Sequence, residues 1–192
     1  MKKIEIEIPD GKRAEWVNGV LTLVDDTPKD IIERIKTFDD ACKELGNNHP
    51  FVCAYNGYAQ NVSEEIKNDT DIIAYLKLRI ITAALNEGWK PEFKDNEQRW
   101  YPSFTLWTEE ELSEKGDEWK ADRHLISTGN YSCSDAGFAF SLSDSAPSYA
   151  NTYFGSHLCF KSKALATYCG KQFISLWADF NLIKSNKQNN GR

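Results

Sequence analysis

The stretch from Asp71 to Leu85 constrains the fold more than any other. Ile72, Ile73, Leu76, Leu78, Ile80, Ile81, Ala83, Ala84 and Leu85 leave so little polar surface that a helix built from them must be enclosed by neighbours. It is expected to begin near Asp69-Thr70-Asp71 and to reach Asn86, with Gly88 as the C-terminal stop. An enclosed helix needs a surrounding layer, and 192 residues suffice for one ordinary domain or two very small ones. Hydrophobic residues at 41% and charged residues at 27% exclude wholesale disorder and a coiled coil.

The flanking sequence supplies that layer. Residues 3–8 alternate as a half-buried strand, and Pro9-Asp10-Gly11 ends it. Trp16-Val17 and Val20-Leu21 flank Asn18-Gly19, the pair suited to a type I′ turn, so residues 13–24 read as a hairpin. Thr27-Pro28 is expected to start a helix in which Ile31, Ile35, Phe38, Cys42 and Leu45 recur at helical spacing until Gly46. Residues 47–62 read as a loop with a short turn of helix, the best linker candidate. Two extended segments are expected between Trp89 and Trp107, the second an edge strand because Pro102 lacks a donor. The acidic stretch 108–123 reads as an exposed loop or short helix. Phe138, Phe140 and Leu142 form one bulky strand face, 143–153 a polar turn, and 157–160 a last strand. Ser162 caps a final helix with a broad apolar stripe through Trp177 to Ile183, and Gly170 inside it implies close approach of a neighbour.

The expected fold class is therefore α+β: a mostly antiparallel sheet with an N-terminal β-hairpin, covered by about three α-helices near 28–45, 70–87 and 162–183. In domain terms this gives an N-terminal hairpin region at 1–26, an α+β domain at 27–183 and a flexible tail at 184–192. The hairpin standing apart as an extension is the alternative.

Charge and cysteine usage narrow the function classes. A net charge of −6, from 29 acidic and 23 basic residues, repels a phosphate backbone unless the basic residues segregate, which disfavours generic nucleic-acid binding. No apolar run approaches the roughly 18 residues of a membrane span, and Met1-Lys2-Lys3 leads into alternating Ile and Glu rather than a signal segment. A soluble, intracellular chain without a membrane partner is expected. The 5 cysteines form an odd set without a Cys-x-x-Cys, so reduced thiols are the reading, with Cys42 and Cys169 on apolar helix faces.

Motifs for chemistry are incomplete. His157 and Cys159 would share a strand face, but two ligands do not make the four of structural zinc, and His49 with Cys53 has the same shortfall. Gly129 lies near serines without a nucleophile elbow. Gly170-Lys171 matches the end of a phosphate loop, yet Leu165 stands at the earlier glycine and Gln172 at the magnesium-binding hydroxyl. No Gly-x-Gly-x-x-Gly occurs, and Glu109 to Glu118 lack the pattern of a calcium loop. No catalytic, cofactor-binding or metal residue is assigned, no cofactor is expected, and the chain reads as no enzyme.

Aromatic residues are the compositional excess, with 6 Trp, 8 Tyr and 10 Phe. Trp89, Phe93, Trp100, Tyr101, Phe104 and Trp107 form a belt with two readings. As core, the rings fill space between sheet and helices, which is where such payload usually goes. As surface, Trp89, Trp100, Tyr101 and Trp107, with Arg99 beside them, are the candidate partner-binding residues, either as protein anchors or as stacking platforms for single-stranded nucleic acid.

Three strings carry a resemblance: Arg34 to Gly46 (RIKTFDDACKELG), Ala74 to Trp89 (AYLKLRIITAALNEGW) and Leu158 to Phe173 (LCFKSKALATYCGKQF). Together they are similar to a family of small proteins without an assigned activity, found in Bacteroidetes genomes, phages and prophages, over about residues 30 to 183. Members often carry Tyr or Ala where this chain has Leu76 and Cys169. The resemblance implies a phage or mobile-element origin and brings no catalytic residues with it. The expected function is that of a non-enzymatic interaction or virion-associated accessory protein with a phage or host protein partner, in the host cytoplasm or on the virion. A single-stranded nucleic-acid-binding accessory protein is the alternative.

Overall fold

In the computed structural model, which describes residues 6–26, 30–63, 71–92, 94–133, 136–147 and 155–185, the hairpin forms as expected. Strands β1 (Lys12–Val17) and β2 (Val20–Asp25) pair antiparallel, with Trp16 opposite Leu21 and Ala14 opposite Leu23. Asn18 (φ 50°) and Gly19 (φ 78°) supply the two positive angles that match the turn to the strand twist. The pair makes a two-stranded sheet of its own. The expectation that it joins the later strands is thereby corrected: none of its described side chains enters the buried clusters. The strand expected over 3–8 lies partly outside the described residues, and Ile6 to Ile8 within them are exposed and in no strand.

The helix expected over 28–45 is two helices. Its proposed start at Thr27-Pro28 lies outside the described residues; Asp30 caps α1 (Ile31–Arg34) instead, its Oδ1 accepting from the Ile32 N–H at 3.1 Å. Ile35 then turns extended, and Thr37 opens α2 (Phe38–Leu45) with a reciprocal capping box to Asp40. Helical spacing runs through the break because both pieces bury the same face; the box decides where the second begins. Residues 47–62 are mostly helix rather than loop. His49 caps α3 (Pro50–Asn61) with proline in its first turn, and Val52 is buried while Phe51 and Tyr55 pack against the core. Packing overrides the turn signal of Asn56-Gly57.

The enclosed helix is α4 (Asp71–Leu85), packed against α2, α3 and α8 (Ile174–Asn181, below). Its chain reverses through Glu87 (φ 49°) and Gly88 (φ 83°). The expected start at 69–70 lies outside the described residues.

Of the two expected extended segments, the one holding Pro102 is strand β3 (Gln98–Trp107), while the described residues of the other form no strand. Then come two short helices, α5 (Glu109–Ser113) and α6 (Asp117–Asp122), the short strand β4 (Ile126–Ser127) and the long strand β5 (Gly137–Pro147). The sheet order is β3-β5-β4, antiparallel, so Pro102 does sit on an edge strand. Ser103 faces Leu142 and Phe104 faces Phe140, so Ser141 is an extra residue, a bulge. The bulge flips the alternation: Phe138 and Phe140 are buried, Leu142 is 50% exposed, and Ser143 points inward to meet Thr167 at 2.9 Å. β5 runs through part of the expected polar turn at 143–153; residues 148–154 lie outside the described set.

The last strand expected at 157–160 is a 3-10 turn (Ser156–Leu158) followed by a single bridge, Phe160 exchanging two backbone hydrogen bonds with Trp100. The last helix breaks at Phe173 into α7 (Lys163–Gln172), capped by Ser162, and α8. Helix α7 lies on β3 and β5, and Gly170 is the point of closest approach. A Cβ there would stand 2.7 Å from Pro102 Cβ and 2.8 Å from Phe140 Cδ2. Phe104, Phe138 and Trp177 join strands and α8 in one aromatic cluster, Phe104 stacking on Phe138 at 4.9 Å. Of the expected tail, only Lys184 and Ser185 are described. No helix among the described residues is long and apolar enough to cross a membrane.

Candidate functional site

The C-terminal end of α4 organises a cleft. Asn86, buried one residue past the helix, donates from Nδ2 to the Cys159 carbonyl at 2.8 Å and accepts at Oδ1 from the Lys161 N–H at 3.0 Å. Glu87 adds ion pairs to Lys161 (2.8 Å) and Arg34 (3.4 Å). These bonds hold the 155–161 segment against the helix end. On the opposite wall stands the first turn of α3, and between them lies a cavity of about 540 Å³.

The chemistry of its lining is one-sided. Arg79, half-buried on α4, sets its guanidinium 4.3 Å from the centre of the Phe51 ring. His49 packs its ring edge-on to Phe51 at 5.1 Å, and its Nδ1 accepts from the Phe51 N–H at 3.3 Å. With Nδ1 occupied as acceptor, the neutral ring carries its proton on Nε2. Lys90 and His157 also line the cavity, and among the described residues no Asp or Glu does. Arg79 and Lys90 form no ion pair with any described residue. Thr82, 3% exposed, lines the cavity as well, and its Oγ1 has no hydrogen-bond partner among the described residues. A buried hydroxyl left without a partner costs about 1–3 kcal/mol.

The belt residues singled out from sequence do not stay together. Trp89 lines the cleft and packs on buried Tyr101 and Cys159. Arg99, 1% exposed, donates to Ser156 Oγ on the cleft wall. Tyr101 and Arg99 are thus interior groups, which corrects their reading as surface anchors: alternation along β3 turns both inward. Trp100 packs partly buried against the main core. Trp107 lies apart, edge-on to Trp119 at 5.0 Å with Lys115 Nζ 5.3 Å from its ring centre.

The thiols are quiet. The Cys159 thiol donates to the Ser156 carbonyl at 3.0 Å, and burial pushes its pKa up to about 11. Burial raises Cys169 to about 12. Cys53, on α3 rather than in a loop, is exposed and donates to the Asn47 carbonyl at 3.3 Å. Among the described residues no three metal-ligating side chains gather.

Sequence reasoning missed Arg79 and Thr82, and weighed His49 only as a neighbour of Cys53. The signal was present in part: Arg79 and Thr82 are polar exceptions inside a nearly all-apolar helix.

A second exposed feature is the hairpin. Ala14, Trp16, Leu21 and Leu23 share one face by register, and Trp16 is 74% exposed. The opposite face carries the Arg13–Glu15 ion pair and Thr22.

Compared with protein-family models, curated proteins and solved structures, the chain matches none.

Proposed function

We propose that the chain is a non-enzymatic interaction protein of phage or prophage type, engaging a protein partner through its N-terminal hairpin in the host cytoplasm or on the virion. The observation that carries this reading is the apolar face of Ala14, Trp16, Leu21 and Leu23, which no described element covers. A two-stranded hairpin is marginal in water by itself and gains stability when a further layer covers its face. Trp16 is the kind of large ring that dominates binding energy at the centre of an interface. A protein suits this face better than a nucleic acid, since its central pairs carry no cation. Burial likewise takes Arg99 and Tyr101 out of any strand-binding surface.

The test is a side-by-side capture from infected or lysogenic host cells with the natural chain and the Trp16→Ser/Leu23→Ser variant. A phage or host protein retained by the first and lost by the second supports the reading. Equal retention by both, or salt-sensitive retention of single-stranded oligonucleotide by both, sinks it.

A further inference from the structure

We infer that the cleft beside α4 is a binding site for a phosphate monoester of about mononucleotide size, with the phosphate held by Arg79 and Lys90. The inference stands independently of the hairpin. On a chain of net charge −6, a cavity lined by Arg79, Lys90, His49 and His157, and by no carboxylate among the described residues, is a local reversal of sign. Arg34, Lys161 and Lys171 are neutralised by acidic neighbours. Arg79 and Lys90 are not, among the described residues.

A further observation points to a ligand. The walls also carry ring surface: Phe51 is braced by Arg79 and His49, and Trp89 is braced from behind by Tyr101 and Cys159. Rings fixed in this way offer apolar contact at little entropic cost. Cations and N–H donors next to ring surface, in a volume of about 540 Å³, suit a ligand with an anionic head and a flat body. Two cations favour the dianionic head of a phosphate monoester over the single charge of a carboxylate, and a guanidinium can meet two of its oxygens at once.

Titration calorimetry with four probes tests this: adenosine monophosphate, phenyl phosphate, adenosine and benzoate. Saturable binding of either phosphate ester, with adenosine and benzoate at least tenfold weaker, is the expected result. Arg79→Met and Lys90→Met should each weaken the phosphate probes about tenfold, the size of one lost charge-assisted hydrogen bond. Far-UV circular dichroism confirms that the variants are folded. Thr82→Val supplies the control: it keeps shape and removes a hydroxyl sealed from solvent, so the protein should melt no lower and the phosphate probes should bind as tightly as to the natural chain. Failure of both phosphate esters to bind, equal binding of adenosine or benzoate, or affinities unmoved by both Arg79→Met and Lys90→Met would overturn the assignment.

Discussion

The Asn86 side chain and the Cys159 carbonyl, 73 residues apart in sequence, meet at 2.8 Å in the interior, and this bond sets one wall of the cleft. Because the same amide also accepts from the Lys161 N–H, one side chain satisfies a donor and an acceptor on a segment that belongs to no regular element. Asn86→Ala should therefore destabilise by about 2–3 kcal/mol, the cost of leaving buried backbone groups unpaired. A urea midpoint that falls with an unchanged slope would show this; an unchanged midpoint would mean that water replaces the amide.

Gly170 and Gly57 make opposite predictions for the same substitution. Gly170→Ala gains up to about 1 kcal/mol of helix propensity but sets its Cβ 2.7 Å from Pro102, and overpacking of that kind costs about 1–3 kcal/mol. Net loss of stability is expected. Gly57 lies within α3 with open space around it, so Gly57→Ala should stabilise by roughly 0.5–1 kcal/mol. Thermal melts of the two variants should move in opposite directions.

Thr37 sets the start of α2 through its capping box, so Thr37→Ala should cost about 1 kcal/mol, with Thr37→Ser nearly neutral. A loss from alanine no larger than from serine would show that packing of Phe38 and Ala41, and not the cap, fixes the helix start.

The hairpin should open long before the core. Its side chains lie outside the buried clusters, so amide hydrogen exchange in β1 and β2 should proceed through local opening, with far less protection than in α4. Gly19→Ala strains a φ of +78° and should accelerate exchange in the hairpin while leaving the global unfolding free energy from urea titration within about 0.5 kcal/mol. Equal protection of hairpin and α4 would show that the hairpin is coupled to the core.

Stability should decline at both ends of the pH range. The Lys161 and Arg34 side chains hold the Glu87 carboxyl below its ordinary range, so its contribution is present above the unfolded pKa and fades as pH falls through the lower folded one. Glu87→Gln should cost no more than roughly 0.5–1 kcal/mol near neutrality, since the pair is partly exposed, and nothing at strongly acid pH. At the alkaline end, burial lifts Cys159 to about 11 and Cys169 to about 12. A raised folded pKa means that stability is full below the unfolded thiol value near 9 and is lost as pH rises from there through the folded values. Melting temperatures recorded from pH 7 upward should fall beyond about pH 9, and less steeply in Cys169→Ala once its own loss of packing is subtracted.

Some of the molecule was legible because its cause is local. The Asn18-Gly19 turn, the Gly88 stop, the Ser162 cap, the edge position of Pro102 and the enclosure of α4 each follow from a residue type and its immediate neighbours. The α3 helix was not legible, since Asn56-Gly57 argued for a turn and only Val52, Phe51 and Tyr55 packing on the core makes the segment helical. The breaks at Ile35 and Phe173 were hidden for the related reason that an apolar stripe continues across a change of axis.

Sequence alone determined the class of fold, the hairpin and which helix lies innermost, because periodicity and turn chemistry act over a few residues. Tertiary structure alone decided that Arg99 and Tyr101 face inward, that a bulge at Ser141 sends Leu142 to solvent, and that Arg79, Lys90, His49 and His157 share one cavity. Those outcomes depend on which distant segments pack together, and no local pattern encodes the meeting of residues more than 100 positions apart.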